Sequence, residues 1–146
     1  MSLGLNGTNQ NEVDAAYRSL RIIWLAMLVS VVTLFVVTML LQHPGRKAPV
    51  VFWILLAIGL ATLGTSFIMK QRLLKQAAEK QSLGMVRVAY VVAYAFCDAT
   101  GLFGLTAYFA TGMEYYYFFF VLSGFGTLLH KPQRDDLLAA SGGNRF

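Results

Sequence analysis

The stretch Val88–Met113, VAYVVAYAFCDATGLFGLTAYFATGM, has 26 residues and a single charged side chain, that of Asp98. An α-helix rises 1.5 Å per residue, so about 20 residues cross the roughly 30 Å hydrocarbon core of a bilayer. The stretch therefore predicts a membrane-spanning helix. A carboxylate that stays ionised at mid-depth costs from about 2.5 to more than 10 kcal/mol. We therefore expect Asp98 to face a partner helix, a water-filled cavity or an ion path.

The rest of the chain is also poor in charge. Of its 146 residues, 57% are hydrophobic and 13% are charged, whereas a soluble domain carries about 25% charged residues. Three further charge-poor stretches are Ile22–Leu41, Ala48–Met69 and Tyr115–Leu129. The last is long enough to span a bilayer only if Glu114 or His130 lies in the headgroup layer. We predict an all-α fold, an integral membrane four-helix bundle. The expected spans are about 20–41, 50–69, 87–111 and 114–130.

The two ends of the chain are more polar than this apolar domain. Residues 1–11 are uncharged and rich in glycine and asparagine, so we expect a flexible N-terminal segment before a helix that starts near Glu12. The four-helix transmembrane domain is expected to cover residues 12–131. Within it, the second span should continue into a basic amphipathic helix, Lys70–Lys80. Residues 132–146 form the predicted polar C-terminal tail.

The basic residues are distributed unevenly between the two sides of the predicted bundle. With four spans, both termini and the middle loop share one side, which holds ten of the twelve Lys and Arg residues. The other side holds only Arg46 and Lys47. The positive-inside rule therefore predicts cytoplasmic termini, as in a multi-pass protein of a bacterial inner membrane. The net charge of +5 follows this topology, so it predicts contact with anionic membrane lipid rather than with nucleic acid.

Small side chains recur along one stripe of the third span. Ala89, Ala93, Cys97 and Gly101 lie four residues apart, and Gly104 extends the surface. In lipid, helices associate where small residues let their backbones approach closely. We therefore predict that this stripe is a helix-packing face. Since Cys97 is the only cysteine, a disulfide within the chain is excluded.

Asp98 lies beside this stripe, and Tyr94 precedes it by one helical turn. Residues at i and i+4 share a helix face, so the Tyr94 hydroxyl is expected to donate to the Asp98 carboxylate or to serve the same intramembrane polar site. Three roles remain open for Asp98. It is a polar contact between helices or subunits, a carrier of protons or cations, or a neutral carboxyl that is hydrogen-bonded or solvated locally.

Two histidines and an aromatic run lie at the ends of the spans. His43 and His130 fall on opposite sides of the membrane, so one chain cannot bring them into a single metal site. Each is expected to extend toward the headgroups or, alternatively, to contact a haem or chlorophyll of a neighbouring subunit. The run Tyr115–Phe120 is typical of an interfacial girdle, with contact to carotenoid, quinone or lipid tails as the alternative. The sequence does not identify a cofactor, and it predicts no metal site.

Motifs for catalysis are missing from the sequence. It contains no G-x-x-x-x-G-K-[ST] loop, no H-E-x-x-H helix, no cysteine pair and no credible Ser/His/Asp set. The polar segments are also too short to form a catalytic domain. We therefore expect that the chain is not an enzyme.

The third span resembles the carboxylate-bearing helix of the c-type rotor subunits of ATP synthases. The similarity lies in Arg87–Gly112, where an acidic residue precedes a small residue and an aromatic-Gly-Leu step. The matching positions are Asp98, Ala99, Phe103, Gly104 and Leu105. A preceding helix with Gly59 and Gly64 also fits such a hairpin, so the resemblance covers about residues 50–112, and the first span is extra. It implies that Asp98 carries protons or sodium ions.

The whole chain is similar to small uncharacterised bacterial four-span membrane proteins. In these an acidic residue in the third span is followed by a Thr-Gly turn, and a basic-Pro step ends the fourth. The corresponding residues are Asp98, Thr111-Gly112 and Lys131-Pro132. The layout also resembles that of the four-span ATP-synthase accessory protein I. These resemblances imply a membrane architecture and no particular activity.

We expect a non-catalytic small subunit or assembly partner of a larger inner-membrane complex, packing through the small-residue face of the third span around Asp98. One alternative is a rotor-type subunit in which Asp98 carries protons or sodium in a homo-oligomeric ring. The other is a cofactor-contacting subunit of a respiratory or photosynthetic complex, using His43 or His130. The expected partners are membrane lipid and either other membrane subunits or further copies of this chain.

Overall fold

A computed structural model describes residues 3–41 and 48–141, with side chains described from residue 10 onward in the first helix. These residues form five α-helices and one short 3-10 helix, and they contain no β-strand. The helices are α1 (Leu3–Leu40), α2 (Pro49–Glu79), α3 (Leu83–Thr111), α4 (Tyr117–Leu129) and α5 (Arg134–Ala140), and the 3-10 helix is Glu114–Tyr116. The all-α prediction is confirmed for this part of the chain.

Three helices are long and apolar enough to cross a membrane. They are residues Gln10–Leu40 of α1, the whole of α2 and the whole of α3. The fourth predicted span corresponds to α4, whose 13 residues extend about 20 Å, less than the roughly 30 Å of a hydrocarbon core. The 3-10 helix Glu114–Tyr116 directly precedes α4 and lengthens it by one turn. The chain is therefore a helical membrane protein with three membrane-capable helices in its described part.

The helices are connected by tight turns where the chain is described. At the end of α2, Gln81 takes a positive φ of 49° and reverses the chain before α3. At the end of α3, Gly112 has a φ of 57°, which is the left-handed conformation that glycine adopts without a Cβ clash. The backbone N–H of Ala48 donates to the Thr111 carbonyl at 3.1 Å. The start of α2 and the end of α3 are therefore held side by side.

The first four helices pack around two clusters of buried residues. α2 lies against α3, α3 packs against α4, and α1 packs against both α3 and α4. One end, which we call the α5 end, has a core of Val13, Ala16, Leu20, Ala77, Val86, Tyr90, Tyr94, Leu137 and Ala140. The opposite end, which we call the turn end, has a core of Val31, Phe52, Ala107, Tyr108, Tyr116, Phe119 and Phe120.

Both ends of the chain depart from the sequence prediction. α1 begins at Leu3 rather than near Glu12, so the helix includes residues 3–11, and the flexibility of this segment stays a prediction. Once a helix is nucleated, each further residue adds a backbone hydrogen bond, which favours extension beyond the buried Val13. At the other end, α5 occupies part of the predicted polar tail, and its Leu137 and Ala140 are fully buried. α5 is therefore part of the packed structure, because its apolar face contributes to the core of the α5 end.

Candidate functional site

Asp98 lies at the edge of the buried face of α3. The residue is partly exposed, but its Oδ1 atom is buried and has no hydrogen-bond partner among the described residues. The hydroxyl of Ser123 in α4 is fully buried and likewise lacks a partner within that part of the chain. Ser123 packs beside Gly101, which follows Asp98 by about one turn, since a Cβ built on Gly101 would lie 3.2 Å from the Ser123 Oγ. A buried unpaired oxygen costs about 1–3 kcal/mol, so this edge of α3 is polar and unsatisfied.

The Tyr94 hydroxyl has a different partner from the one predicted. It donates to the backbone carbonyl of His130 at 3.2 Å, and the Tyr94 side chain is fully buried. The predicted hydrogen bond from Tyr94 to Asp98 is therefore corrected. His130 directly follows α4, and the last carbonyls of a helix lack partners within it. The end of α4 thus supplies the acceptor for the Tyr94 hydroxyl. The spacing of residues within α3 could not predict this partner, because it lies on another helix.

The predicted helix-packing face is buried inside the chain itself. Its members, Ala89, Ala93, Cys97, Gly101 and Gly104, are all buried. A Cβ built on Gly104 would lie 2.8 Å from the Cβ of Phe119, so glycine permits the close approach of α4 at this point. The face therefore packs α3 against helices of its own chain. A partner subunit could not occupy it without displacing them, which corrects the expectation that a partner packs through this face.

His130 is fully buried, although the sequence placed it among the headgroups. Its Nδ1 atom lies 2.6 Å from the carbonyl oxygen of Gly126, and its Nε2 atom lies 2.9 Å from the Oγ of Ser66. Because a carbonyl oxygen only accepts, Nδ1 carries the proton and the Ser66 hydroxyl donates to Nε2. A haem or chlorophyll bound at Nε2 would have to break the bond to Ser66. His43, the other proposed cofactor contact, lies outside the described residues.

Ser66, Cys97 and His130 form a polar cluster between α2, α3 and the end of α4. The Ser66 Oγ lies 3.9 Å from the Cys97 Sγ, and the ring centroids of Phe67 and His130 are 4.3 Å apart. All three polar side chains are fully buried, so neither the hydroxyl nor the thiol is accessible to a substrate. The cluster therefore serves to join helices. Sequence reasoning missed Ser66, whose one available signal was its position among the small residues of an apolar span.

A second group of contacts attaches α5 to the bundle. The Tyr90 hydroxyl donates to the Asp136 Oδ2 at 2.5 Å and accepts from the backbone N–H of Gln133 at 3.0 Å. The Lys70 ammonium lies 4.2 Å from the centroid of the same ring, within the range of a cation–π interaction. These contacts give the Asp136 carboxylate a partner and hold α5 across the ends of α2 and α3. No motif in the sequence indicated them, because the partners are distant along the chain.

The aromatic run Tyr115–Phe120 is divided between the core and the surface. Tyr116, Phe119 and Phe120 are buried in the turn-end core, whereas the other three rings are exposed. Two of the exposed rings line, together with Trp53 of α2, an apolar groove of about 520 Å³. The outward half of the run therefore presents aromatic surface at the turn end, and its role as an interfacial girdle stays a prediction.

Comparison with known proteins does not assign the chain to a family. No protein-family model, no curated protein and no solved structure matches it. Within the described residues, no group of three or more His, Cys, Asp and Glu side chains is placed to hold a metal ion.

Proposed function

We propose that the chain is a non-catalytic subunit or assembly partner of a larger membrane complex, and that it contacts its partner at the edge of α3 around Asp98. The observation that carries this proposal is the Asp98 carboxyl group, which is partly exposed at the edge of α3 and whose buried Oδ1 atom has no donor among the described residues. The hydrocarbon core offers no water to compensate such an atom. A hydroxyl, amide or cationic side chain from another subunit would pair with the exposed part of the same carboxyl group, which makes this edge a favourable contact point.

The packing of α3 favours a contact with the partner at the edge of the small-residue face rather than at its centre. The small-residue stripe is filled by α2 and α4, so the interior of the bundle is closed to a partner. Asp98 itself is partly exposed, and Leu102, one turn further along, is 47% exposed. A partner helix lying along this edge would meet an apolar surface with one carboxyl group in it. That combination favours a specific register between two helices.

We further propose four spans with both termini on the cytoplasmic side of a bacterial inner membrane. Asp14 of α1 pairs with Arg134 of α5 at 2.7 Å, so the start of α1 and the whole of α5 share one end of the bundle. If α1, α2 and α3 each cross the membrane, α4 must return the chain to that end. Ten of the twelve basic residues then lie on one side, which the positive-inside rule assigns to the cytoplasm.

Native electrophoresis of the full-length chain in solubilised native membranes tests the proposal. We expect the wild type to migrate in a larger assembly and Asp98→Ala to reduce that assembly about 3–20-fold, the effect of one intramembrane hydrogen bond. Asp98→Asn should retain more of it, because an amide still forms hydrogen bonds. Leu60→Ala is the matched control, at a leucine of similar exposure (51%) on α2 rather than on this edge, and it should leave the assembly intact. Migration of the wild type as a free monomer, or equal losses in both alanine variants, would contradict the proposal.

Ion carriage by Asp98 is the second candidate, and the partial exposure of this carboxyl at the surface of α3 favours it. In that case dicyclohexylcarbodiimide should label Asp98 in the intact assembly. Asp98→Asn should then abolish proton or sodium flux while the assembly persists, because an amide cannot release a proton. Full flux in Asp98→Asn would exclude this function. Co-purification followed by mass spectrometry would distinguish a ring of identical chains from a mixed complex.

A further inference from the structure

The outward face of α1 carries a groove whose chemistry changes along the helix. The groove has a volume of about 410 Å³ and is lined by Asp14, Tyr17, Arg18, Arg21, Ile22 and Leu25. These positions follow the i, i+3, i+4 spacing of a single helix face. The opposite face of the same segment, with Val13, Ala16 and Leu20, is buried in the core of the α5 end. The groove therefore lies on the outside of the bundle, with charged residues first and apolar residues after them.

Its two arginines retain their charge for an external ligand. Neither Arg18 nor Arg21 forms an ion pair with another residue in the described part of the chain. The guanidinium carbon of Arg21 lies 5.9 Å from the centroid of the Tyr17 ring, which places this side chain over the groove. The only carboxylate lining the groove, that of Asp14, is paired with Arg134 at 2.7 Å. The groove therefore presents two guanidinium groups whose charge is not neutralised locally.

The apolar end of the groove begins directly after the second arginine. Ile22 and Leu25 are 63% and 50% exposed, and the distance along the helix axis from Arg18 to Leu25 is about 10 Å. Trp24, in the same helical turn, donates its indole N–H to the Thr127 carbonyl at 2.8 Å, which fixes the rotation of α1 on the bundle. Exposed aliphatic side chains below two guanidinium groups match the order of chemical groups in a phospholipid.

We propose that this groove binds one anionic phospholipid, with its phosphodiester group on Arg18 and Arg21 and an acyl chain along Ile22 and Leu25. Guanidinium groups bind phosphate oxygens through paired hydrogen bonds. Because the two guanidinium groups are positively charged, the groove should bind a lipid of net negative charge rather than a zwitterionic one. This inference does not depend on the role of Asp98, which lies on another helix.

The test measures lipid binding by the full-length chain in detergent micelles, by native mass spectrometry and by the thermal shift on adding lipid. The ligands are dioleoyl phosphatidylglycerol, dioleoyl phosphatidylcholine and inorganic phosphate. We expect phosphatidylglycerol to bind and to raise Tm. The double variant Arg18→Gln/Arg21→Gln should bind it about 30-fold more weakly, the loss expected for two basic residues at a membrane surface.

The matched control is Arg72→Gln/Arg87→Gln, which removes the same charge from two exposed positions of α2 and α3. It should change the affinity by no more than about twofold, because these residues are outside the groove. Equal losses in the two double variants would overturn the proposal and would indicate a general attraction by net charge. Equal binding of phosphatidylcholine, or an equal shift with inorganic phosphate alone, would also overturn it. The comparison of ligands on the wild-type chain decides the question even if the double variant does not fold.

Discussion

The α5 end of the bundle adds side-chain hydrogen bonds between helices to its apolar core, whereas the described side-chain contacts of the turn end are mainly those of packed rings. At the α5 end, the Ser66 hydroxyl of α2 reaches the His130 ring after α4 at 2.9 Å. At the turn end, the rings of Phe52 and Phe119 meet edge to face, with centroids 5.7 Å apart. Gly104 lies directly beneath the Phe119 side chain. Hydrogen bonds between side chains on different helices are therefore the distinguishing contacts of the α5 end, and close ring packing is that of the turn end, where the backbone bond from Ala48 to Thr111 also joins α2 and α3.

This difference predicts that the two ends respond to different kinds of change. A hydrogen bond between helices is lost when one polar atom is removed, whatever the volume of the replacement. A close-packed aromatic contact tolerates little added volume, because neighbouring side chains must leave their rotamers. The turn end should therefore lose stability when a small residue is replaced by a larger one. The α5 end should lose stability when a polar residue is replaced by an apolar one. Three substitutions test this contrast.

Gly104→Leu should have the largest effect. A Cβ at this position already lies 2.8 Å from the Phe119 Cβ and 3.1 Å from the Phe120 ring, so a leucine forces α3 and α4 apart. We expect the free energy of unfolding to fall by about 3 kcal/mol, the upper part of the range for overpacking. The measurement is chemical unfolding in detergent micelles, followed by circular dichroism.

Gly64→Leu is the control for this substitution. A Cβ built on Gly64 of α2 would meet nothing within 4 Å, so the variant should be at least as stable as the wild type. We expect a gain of up to about 1 kcal/mol in the free energy of unfolding, because glycine is removed from a helix interior. If the two leucine variants were equally destabilised, close packing at the turn end would not be the cause.

Ser66→Ala should have an intermediate effect at the α5 end. It removes the donor to the His130 Nε2 atom and leaves this buried nitrogen unpaired. We expect a loss of about 1–2 kcal/mol in the free energy of unfolding, as measured for hydrogen bonds between helices in membranes. Thr65→Ala is the control, because the Thr65 hydroxyl is exposed and bonds to the Ala61 carbonyl of its own helix. Equal stability of the two variants would show that the bond to His130 contributes nothing.

Tyr90→Phe should have the smallest effect, confined to α5. It removes the hydroxyl that contacts both Asp136 and Gln133. Because Asp136 is only partly buried, water replaces much of the lost bond, and we expect local opening of α5 to become easier by about 1 kcal/mol. Hydrogen exchange of the backbone amides in residues 134–140 measures this opening. Tyr115→Phe, at a 53% exposed position of the turn end, should leave their exchange unchanged, and equal protection in both variants would contradict the docking role of Tyr90.

Sequence patterns predicted the features that depend on a single helix. The apolar length of α2 and α3 indicated membrane-capable helices, and the spacing of the small residues indicated that one face of α3 packs closely. Both follow from helical periodicity, which is a local property. The sequence did not predict which helix packs against this face of α3. Periodicity does not distinguish a helix of the same chain from one of another subunit.

The polar contacts of the α5 end were not predictable in the same way. Tyr94 and Asp98 share a helix face, yet Tyr94 bonds to the carbonyl of His130, which lies 36 positions further along the chain. Likewise, the sequence predicts a polar tail where the short α5 lies, since seven residues carry little periodic signal. Contacts of this kind depend on where one helix ends relative to another. Loop lengths and charge patterns constrain those positions only loosely.

The residues alone predicted that the chain lies in a lipid bilayer and that it is helical. Each crossing of a bilayer requires about 20 apolar residues. In hydrocarbon, backbone polar groups find hydrogen-bond partners only within helices or closed barrels. The packed arrangement of the helices determined the rest. It closed the small-residue face of α3 within the chain, buried His130 against Ser66, and left an oxygen of Asp98 without a donor from residues 3–41 and 48–141. These outcomes depend on the rotation and axial position of each helix against its neighbours, and those are set by many side-chain contacts at once.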